Sequence, residues 1–178
     1  RVNKITDTLK NITKMEYDAA GHVNSVTDTN NLITTYKKDG FGQLVYQSSP
    51  DTGTTNFTYD NFGRLESKTA NDGTHTSYSY DYLDRPLQII AGASQQTFNY
   101  DGCMNGTGQL CGASDSNTTM AYTYTAFGAI QKQIQSIGST SYTTEYQYDS
   151  RKRVSSIKYP SGNFVSYTYC GNQLCSVD

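Results

Sequence analysis

The chain has 178 residues with 14 Lys or Arg and 16 Asp or Glu, so its formal net charge is −2. This charge leaves no basic surplus for neutralising phosphates, and we expect no nucleic-acid partner. Only 35% of the residues are hydrophobic, and no apolar run approaches the roughly 20 residues that cross a bilayer, so we expect no membrane span.

One short pattern recurs along the chain: Tyr-Asp-x-x-Gly, followed by a basic or polar residue and an aliphatic residue. Copies start at positions 17, 38, 59, 80, 100, 124, 148 and 169, in steps of 20 to 24 residues. Such steps indicate a tandem array with one supersecondary unit per repeat. The residues that we predict to carry the motif are Tyr17, Asp18, Gly21, Tyr59, Asp60, Gly63, Arg64, Tyr80, Asp81, Arg85, Tyr100, Asp101, Tyr124, Gly128, Tyr148, Asp149 and Tyr169.

Each repeat shows turn and strand signals in a constant order. Asp-x-x-Gly is typical of a type I turn whose Gly takes the left-handed conformation that closes a short hairpin loop. A period-two aromatic pair such as Tyr78 and Tyr80 precedes the turn, and a polar and β-branched run such as Leu65–Thr69 follows it, as in strands. A second turn signal ends the run. Each repeat is therefore predicted to contain two strands and two turns, and the chain to be antiparallel β throughout.

The aromatic content predicts how these strands are stabilised. The chain has 16 Tyr, 6 Phe and no Trp, and ring pairs across neighbouring strands contribute roughly 0.2–1 kcal/mol each. We predict an all-β fold in which the hairpins form a continuous, curved, single-layer sheet with the Tyr hydroxyls in water. A two-sheet sandwich with Tyr-rich strands is the alternative.

Residues 1–178 are predicted to form a single array of about eight repeats without an internal domain boundary. Arg1 lies 21 residues before His22, its equivalent, and Tyr169 opens a copy that is expected to stop at Asp178 without its second strand. We therefore interpret the chain as a fragment of a longer repeat region. Open sheet edges in such an array favour self-association.

The sequence shows no constellation of catalytic residues. His22 stands where other copies have Arg64 or Arg85, and His75 lies early in a strand of alternating polar residues. Neither His has a Ser or Cys nucleophile as an evident partner. The repeated Asp residues are of the type that binds calcium, but turn capping explains every one of them. We predict no enzymatic activity, no cofactor and no metal site.

The four cysteines form two local pairs, Cys103 with Cys111 and Cys170 with Cys175. Neither pair has the Cys-x-x-Cys spacing that is typical of a zinc site. Four cysteines allow three disulfide connectivities. We favour the two local disulfides, Cys103–Cys111 and Cys170–Cys175, over free thiols. Disulfides of this kind form in exported proteins, which pass through oxidising environments.

The Tyr-Asp-x-x-Gly-Arg-Leu repeat at about 21 residues resembles the YD repeat of the RHS family over the whole chain. Residues Tyr100 to Cys111 also resemble a Cys-bearing variant repeat of bacterial Rhs proteins. In this family, which includes bacterial polymorphic and insecticidal toxins and the animal teneurins, the repeats wind into a hollow shell around a toxic C-terminal domain.

The resemblance implies a non-enzymatic segment of a shell that encapsulates and helps to deliver a C-terminal toxin, exported as part of a larger secreted bacterial protein. The implied partners are the remaining repeats of the polypeptide and the enclosed toxin domain. A cell-surface adhesion or carbohydrate-binding module is the alternative, because exposed Tyr rows can stack on sugar rings and so make a glycan a partner.

Overall fold

A computed structural model describes residues 1–178 and contains seventeen β-strands and no helix. The strands are β1 (Lys4–Thr6), β2 (Ile12–Tyr17), β3 (Val23–Thr27), β4 (Ile33–Lys38), β5 (Leu44–Ser49), β6 (Gly53–Tyr59), β7 (Leu65–Thr69), β8 (His75–Tyr80), β9 (Pro86–Ala91), β10 (Ser94–Tyr100), β11 (Leu110–Ser114), β12 (Thr118–Tyr124), β13 (Ile130–Ile137), β14 (Thr140–Tyr148), β15 (Val154–Lys158), β16 (Phe164–Cys170) and β17 (Gln173–Val177). The predicted all-β class is confirmed.

The contacts divide the chain into two units, Arg1–Arg85 with Ile89–Ala93, and Pro86–Gln88 with Ser94–Asp178. In the first unit β1 to β8 pair in chain order as an antiparallel meander. In the second unit β10 to β17 do the same. The expectation that the last copy lacks its second strand was wrong, because Gln173–Val177 pairs with β16 as β17.

Each unit consists of a single layer. Its strands contact only the strands that are adjacent in sequence, so no second sheet packs against them. Cys111 and Tyr124, which are 8% and 6% exposed, are the only buried hydrophobic residues. The stability of each unit must therefore come from backbone pairing and from side-chain contacts along the layer, because a thick core is absent.

A β-bulge recurs at one phase of the repeat. Tyr59 pairs with Leu65, whereas Thr58 pairs with Ser67, which leaves Glu66 as an extra residue in β7. The residues at the equivalent positions are Asn24, Val45, Glu66, Cys111, Gln131, Ser155 and Cys175. Because a bulge bends its strand and increases the local twist, every one of these hairpins bends at the same place.

The register also separates the strand residues onto two faces of different chemistry. Met15, Tyr17, Val26, Tyr36, Phe57, Tyr59, Tyr78 and Tyr80 lie on the aromatic face of the first unit, and Phe98, Met120, Tyr122, Tyr142, Tyr146, Ile157 and Val165 on that of the second. The opposite face, the hydroxyl face, carries cross-strand Ser and Thr pairs. Their hydroxyls lie 2.6 to 2.8 Å apart in the pairs Thr58–Ser67, Thr97–Ser114 and Ser136–Ser141. Rings and hydroxyls thus stabilise opposite sides of one layer.

Candidate functional site

The motif residues lie in the turns at one end of the strands of each unit. This border, here called the YD edge, is where β2 turns into β3, β6 into β7 and β14 into β15. In the turn after Tyr59, the Gly63 N–H donates to the Asp60 carbonyl at 2.9 Å, and Gly63 has a φ of +80°. Asp84 and Lys152 take the same left-handed conformation in the copies that lack Gly. The left-handed position is therefore retained even where its preferred residue is absent.

The motif Asp closes this turn with both of its carboxylate oxygens. Asp60 Oδ1 accepts the backbone N–H groups of Phe62 and Arg64, each at 2.9 Å, while Oδ2 accepts Arg64 Nε at 2.7 Å. The same i,i+4 ion pair recurs in Asp81–Arg85 and Asp149–Arg153, and Asp18–His22 is its His counterpart. Because these hydrogen bonds are charge-assisted, they are stronger than ordinary turn contacts.

The motif Arg also contacts the next repeat. Arg64 Nη1 donates to the Asp81 carbonyl at 2.8 Å and to Asp84 Oδ1 at 2.9 Å, and its guanidinium lies 4.9 Å from the centroid of the Tyr80 ring. Arg153 likewise donates to the Gly171 carbonyl and lies 3.9 Å from the centroid of Tyr169. Each of these arginines therefore links the turn of its own repeat to the turn and the Tyr ring of the next one.

The motif Tyr makes a second link between repeats. The hydroxyls of Tyr59, Tyr80 and Tyr169 donate to main-chain carbonyls of the preceding repeat, those of Leu44, Leu65 and Val154, at 2.9 to 3.0 Å. The equivalent pairs are Tyr17 with Val2, Tyr124 with Leu110 and Tyr148 with Ile130.

These hydroxyls are bonded to protein rather than left in water, contrary to the expectation from sequence. The reason is the way in which neighbouring hairpins separate at the YD edge. Strands β7 and β8 pair only at Ser67–Thr69 with His75–Ser77, so the Leu65 carbonyl has no partner in the β8 backbone, and the Tyr80 hydroxyl supplies one. A Tyr hydroxyl is protonated at neutral pH and can donate, and partial burial raises the pKa of Tyr80 further.

Tyr80→Phe is expected to lower the free energy of unfolding by about 1 kcal/mol, because the Leu65 carbonyl then loses its hydrogen-bond donor. Tyr82→Phe is the matched control, since Tyr82 is 90% exposed and its hydroxyl has water available. Urea denaturation of the two variants measures the difference. Equal stability of both variants would show that the Tyr80 hydroxyl contributes nothing to the link.

Local hydrogen bonds lower the pKa of the motif carboxylates. The backbone N–H and then the side chain of Arg153 lower the pKa of Asp149, and the backbone N–H of His22 does so for Asp18. At Asp60 desolvation acts in the opposite direction, but the backbone and guanidinium hydrogen bonds of Arg64 outweigh it and the pKa still falls. The carboxylates are thus held in the charged form that the turns use.

We expect the chain to lose stability in acid as these carboxylates become protonated. Because their pKa values in the folded chain lie below the value of about 3.9 for an unfolded Asp, the unfolded chain binds more protons in this window. Stability should therefore be level above about pH 5 and fall as the pH drops through 4 and below. Thermal melts between pH 3 and 7 measure the slope, and Asp149→Asn should make it shallower. A slope unchanged in this variant would contradict the assignment.

The repeat that begins at Tyr100 departs from the regular turn. Asp101 has a φ of +70°, and its Oδ1 accepts the Gly108 N–H at 2.7 Å across an enlarged loop. The loop binds the next repeat, because Asn105 Nδ2 donates to the Tyr124 carbonyl at 2.8 Å and the Tyr124 N–H donates to the Met104 carbonyl at 3.1 Å. The sequence signal for this enlargement was the distance from the motif Tyr to the aliphatic residue, which is ten positions from Tyr100 to Leu110 and six from Tyr59 to Leu65.

The structure joins Cys103 to Cys111 and Cys170 to Cys175, and no cysteine is free. Cys111 and Cys175 both occupy the bulge position. Cys170 also stands where most other copies have the turn Asp, and the residue at the Arg position of that repeat is Gln173. In this hairpin a covalent link therefore spans the turn in place of the Asp–Arg ion pair.

The remaining polar candidates lie apart from one another. His22 Nδ1 is 3.2 Å from Asp18 Oδ2, and His75 Nδ1 is 3.1 Å from Thr69 Oγ1. No group of three His, Cys, Asp or Glu side chains is placed to hold a metal ion. No helix is long and apolar enough to span a membrane.

Sequence reasoning missed two Asp-capped turns at the opposite edge. Asp7 Oδ1 accepts the N–H groups of Leu9 and Asn11, each at 2.8 Å, and Asp28 caps its own turn in the same way. The left-handed positions of these turns are filled by Lys10 and Asn31. The absence of Gly and of a preceding Tyr concealed both turns in the sequence.

Together these features define a β-hairpin repeat protein whose consecutive hairpins are joined by Tyr and Arg side chains. Residues 2–112 match the family model described as Teneurin YD-shell. This match covers more than half of the chain, which therefore belongs to the YD-shell family, and the resemblance seen in the sequence is confirmed.

Two solved structures illustrate the fold. The crystal structure of TcdB2-TccC3 superimposes with a TM-score of 0.80 at 18% identity, over 93% of this chain and 10% of that one. The Tc holotoxin pore of Photorhabdus luminescens superimposes with a TM-score of 0.76 at 18% identity, over 94% of this chain and 10% of that one. The chain thus spans about a tenth of the length of these relatives. No curated protein matches the chain.

Proposed function

We propose that this YD-shell segment forms part of the wall of a closed shell that encapsulates a C-terminal toxin domain and helps to deliver it. The observation that carries the proposal is the link between successive hairpins, in which Arg64 joins the Asp60 turn to Tyr80 and the Tyr80 hydroxyl returns to Leu65. A single layer has no core to hold its hairpins in place, so side-chain links of this kind supply the rigidity that a container wall needs.

In this proposal the mechanism is mechanical and the segment has no enzymatic role. Backbone pairing excludes passage through the layer, and the Tyr and Arg links resist separation of the hairpins at the YD edge. Residues 1–178 form one uninterrupted stretch of a longer repeat array, whose remaining repeats and enclosed toxin are the partners. The parent protein is secreted by a bacterium. The structural similarity to the Tc holotoxin pore of Photorhabdus luminescens supports this proposal.

The test is limited proteolysis of the longer parent polypeptide. If the repeats enclose its C-terminal segment, that segment resists protease until the repeats themselves are unfolded. Arg64→Ala should accelerate cleavage, because it removes the contacts to Asp81 and Tyr80. Lys68→Ala is the control, since it removes a charge at an exposed strand position. Rapid cleavage of the C-terminal segment in the intact parent would overturn encapsulation.

A glycan-binding module is the second candidate, because three aromatic side chains in the turns have most of their surface in solvent. Phe41, Phe62 and Tyr82 are 93%, 83% and 90% exposed, so their ring faces are open to a ligand. Titration of the chain with saccharides at millimolar concentration, followed by the aromatic NMR signals, separates the candidates. A wall segment should show no shift, whereas saturable shifts of these rings would favour the binding module.

A further inference from the structure

The position occupied by Arg64 is a well-formed guanidinium site within the chain. The guanidinium lies 5.0 Å from the ring centroid of Phe62 and 4.9 Å from that of Tyr80, and it bonds the Asp60 carboxylate at 2.7 Å. The side chain is only 20% exposed. Two rings and a carboxylate thus enclose the cation between successive turns, as expected for a planar group that stacks and forms directed hydrogen bonds.

One repeat earlier, the same position holds Gln43 instead of Arg. Gln43 lies 16 residues before Tyr59, as Arg64 lies 16 before Tyr80. Its Nε2 donates to the Gly63 carbonyl at 2.8 Å, but a neutral amide carries no charge to pair with Asp39. No cation lies over the Tyr59 ring either.

An open groove of about 590 Å³ is present at this place, between the turn at Asp39 and the turn at Asp60. Phe41, Phe57 and Tyr59 line it together with Asp39 and Gln43. Asp39 Oδ1 caps its own turn through the N–H groups of Phe41 and Gln43, each at 2.9 Å, and Oδ2 accepts no hydrogen bond. The groove therefore has aromatic rings and a carboxylate, as the Arg64 site does. In the groove, however, no cation pairs with the carboxylate.

We propose that this groove binds an arginine side chain supplied by another polypeptide. The bound guanidinium donates to Asp39 Oδ2 and stacks on Tyr59, as Arg64 does on Asp60 and Tyr80. Arginine is favoured over lysine because its planar group pairs with a ring face and a carboxylate at the same time. The site depends only on the local geometry of the two turns, and it is independent of whether the parent protein encloses a toxin.

The experiment titrates the full chain with the peptide acetyl-Gly-Arg-Gly-amide and follows the NMR signals of Tyr59, Phe41 and the Gln43 side-chain amide. We expect saturable shifts confined to these groups. The same peptide with citrulline, the neutral isostere of arginine, should bind about tenfold more weakly or not at all, because a charge-assisted hydrogen bond is lost. Equal binding of the citrulline or lysine peptide, or no shift with the arginine peptide, overturns the proposal.

Two variants of the chain test the site from the protein side. Gln43→Arg places a guanidinium in the groove from within the chain, so it should abolish peptide binding and raise the melting temperature. Asp39→Asn keeps an oxygen to cap the turn but removes the charge, and it should weaken binding by about tenfold. Unchanged peptide binding by a folded Gln43→Arg variant would place the peptide elsewhere and overturn the proposal.

Discussion

Gly106→Ala is expected to lower the free energy of unfolding by about 3 kcal/mol or more, through overpacking and loss of the Cys103–Cys111 disulfide. A Cβ atom at Gly106 would lie within 3 Å of the Sγ atoms of both Cys103 and Cys111, so the loop cannot bring the two thiols into bonding position and the disulfide fails to form when the chain folds. Urea denaturation measures the loss. Thiol titration of the denatured, unreduced chain should then find two reactive thiols in the variant and none in the parent chain.

Gly108→Ala, in the same loop, is the matched control. Gly108 has a φ of +78°, but nothing lies within 4 Å of its Cβ position, so the substitution should cost only the backbone strain of about 1–2 kcal/mol. Gly106 has no positive φ, and an argument from backbone conformation alone would rank the two variants in the opposite order. A larger loss for Gly108→Ala would therefore show that the disulfide loop is packed less tightly than the structure indicates.

Gly63→Val is expected to destabilise a regular turn strongly, with a loss of about 2 kcal/mol. Gly63 has a φ of +80°, which a β-branched residue adopts only with strain. The Gly63 carbonyl also accepts the Gln43 side chain at 2.8 Å, so a distorted turn loses a contact with the neighbouring repeat. A lower urea midpoint and lower solubility of the variant check the prediction.

His75→Ala serves as the neutral comparison for Gly63→Val. His75 is exposed at the first position of β8, and its one side-chain contact is with Thr69 Oγ1 at 3.1 Å. Surface changes of this type usually stay within about 0.5 kcal/mol. If the chain tolerated both substitutions equally, the left-handed turn at Gly63 would not be a determinant of stability.

The repeating elements of the fold were predictable from sequence. The strand Leu65–Thr69 coincides with β7, and the turn of Asp60 with Gly63 forms at the expected residues. These features depend on residues within five positions of each other, because a type I turn needs only its own Asp and a left-handed fourth residue. The single-layer arrangement also followed from the composition, which offers many rings and few aliphatic side chains.

The links between repeats were not predictable in the same way. The Tyr80 hydroxyl reaches Leu65, which is 15 residues away, and Arg64 reaches Asp84, which is 20 residues away. Both contacts depend on where neighbouring hairpins separate at the YD edge, next to the bulge that adds Glu66 to β7. A bulge does not change the spacing of the repeats, so the direction in which it turns side chains can be seen only in the structure.

The sequence by itself therefore determined the all-β fold class, the hairpins and their turn chemistry, because local backbone conformation depends mainly on residues that are adjacent in sequence. Only the tertiary structure decided which groups face each other across the repeats. It showed that a Tyr hydroxyl donates a hydrogen bond to a main-chain carbonyl of the preceding repeat, and that an Arg lies between two turns. It also showed an open groove beside Asp39, where Gln43 replaces Arg. The physical reason is that strand register, which sets these neighbours, is a property of paired strands and not of either strand alone.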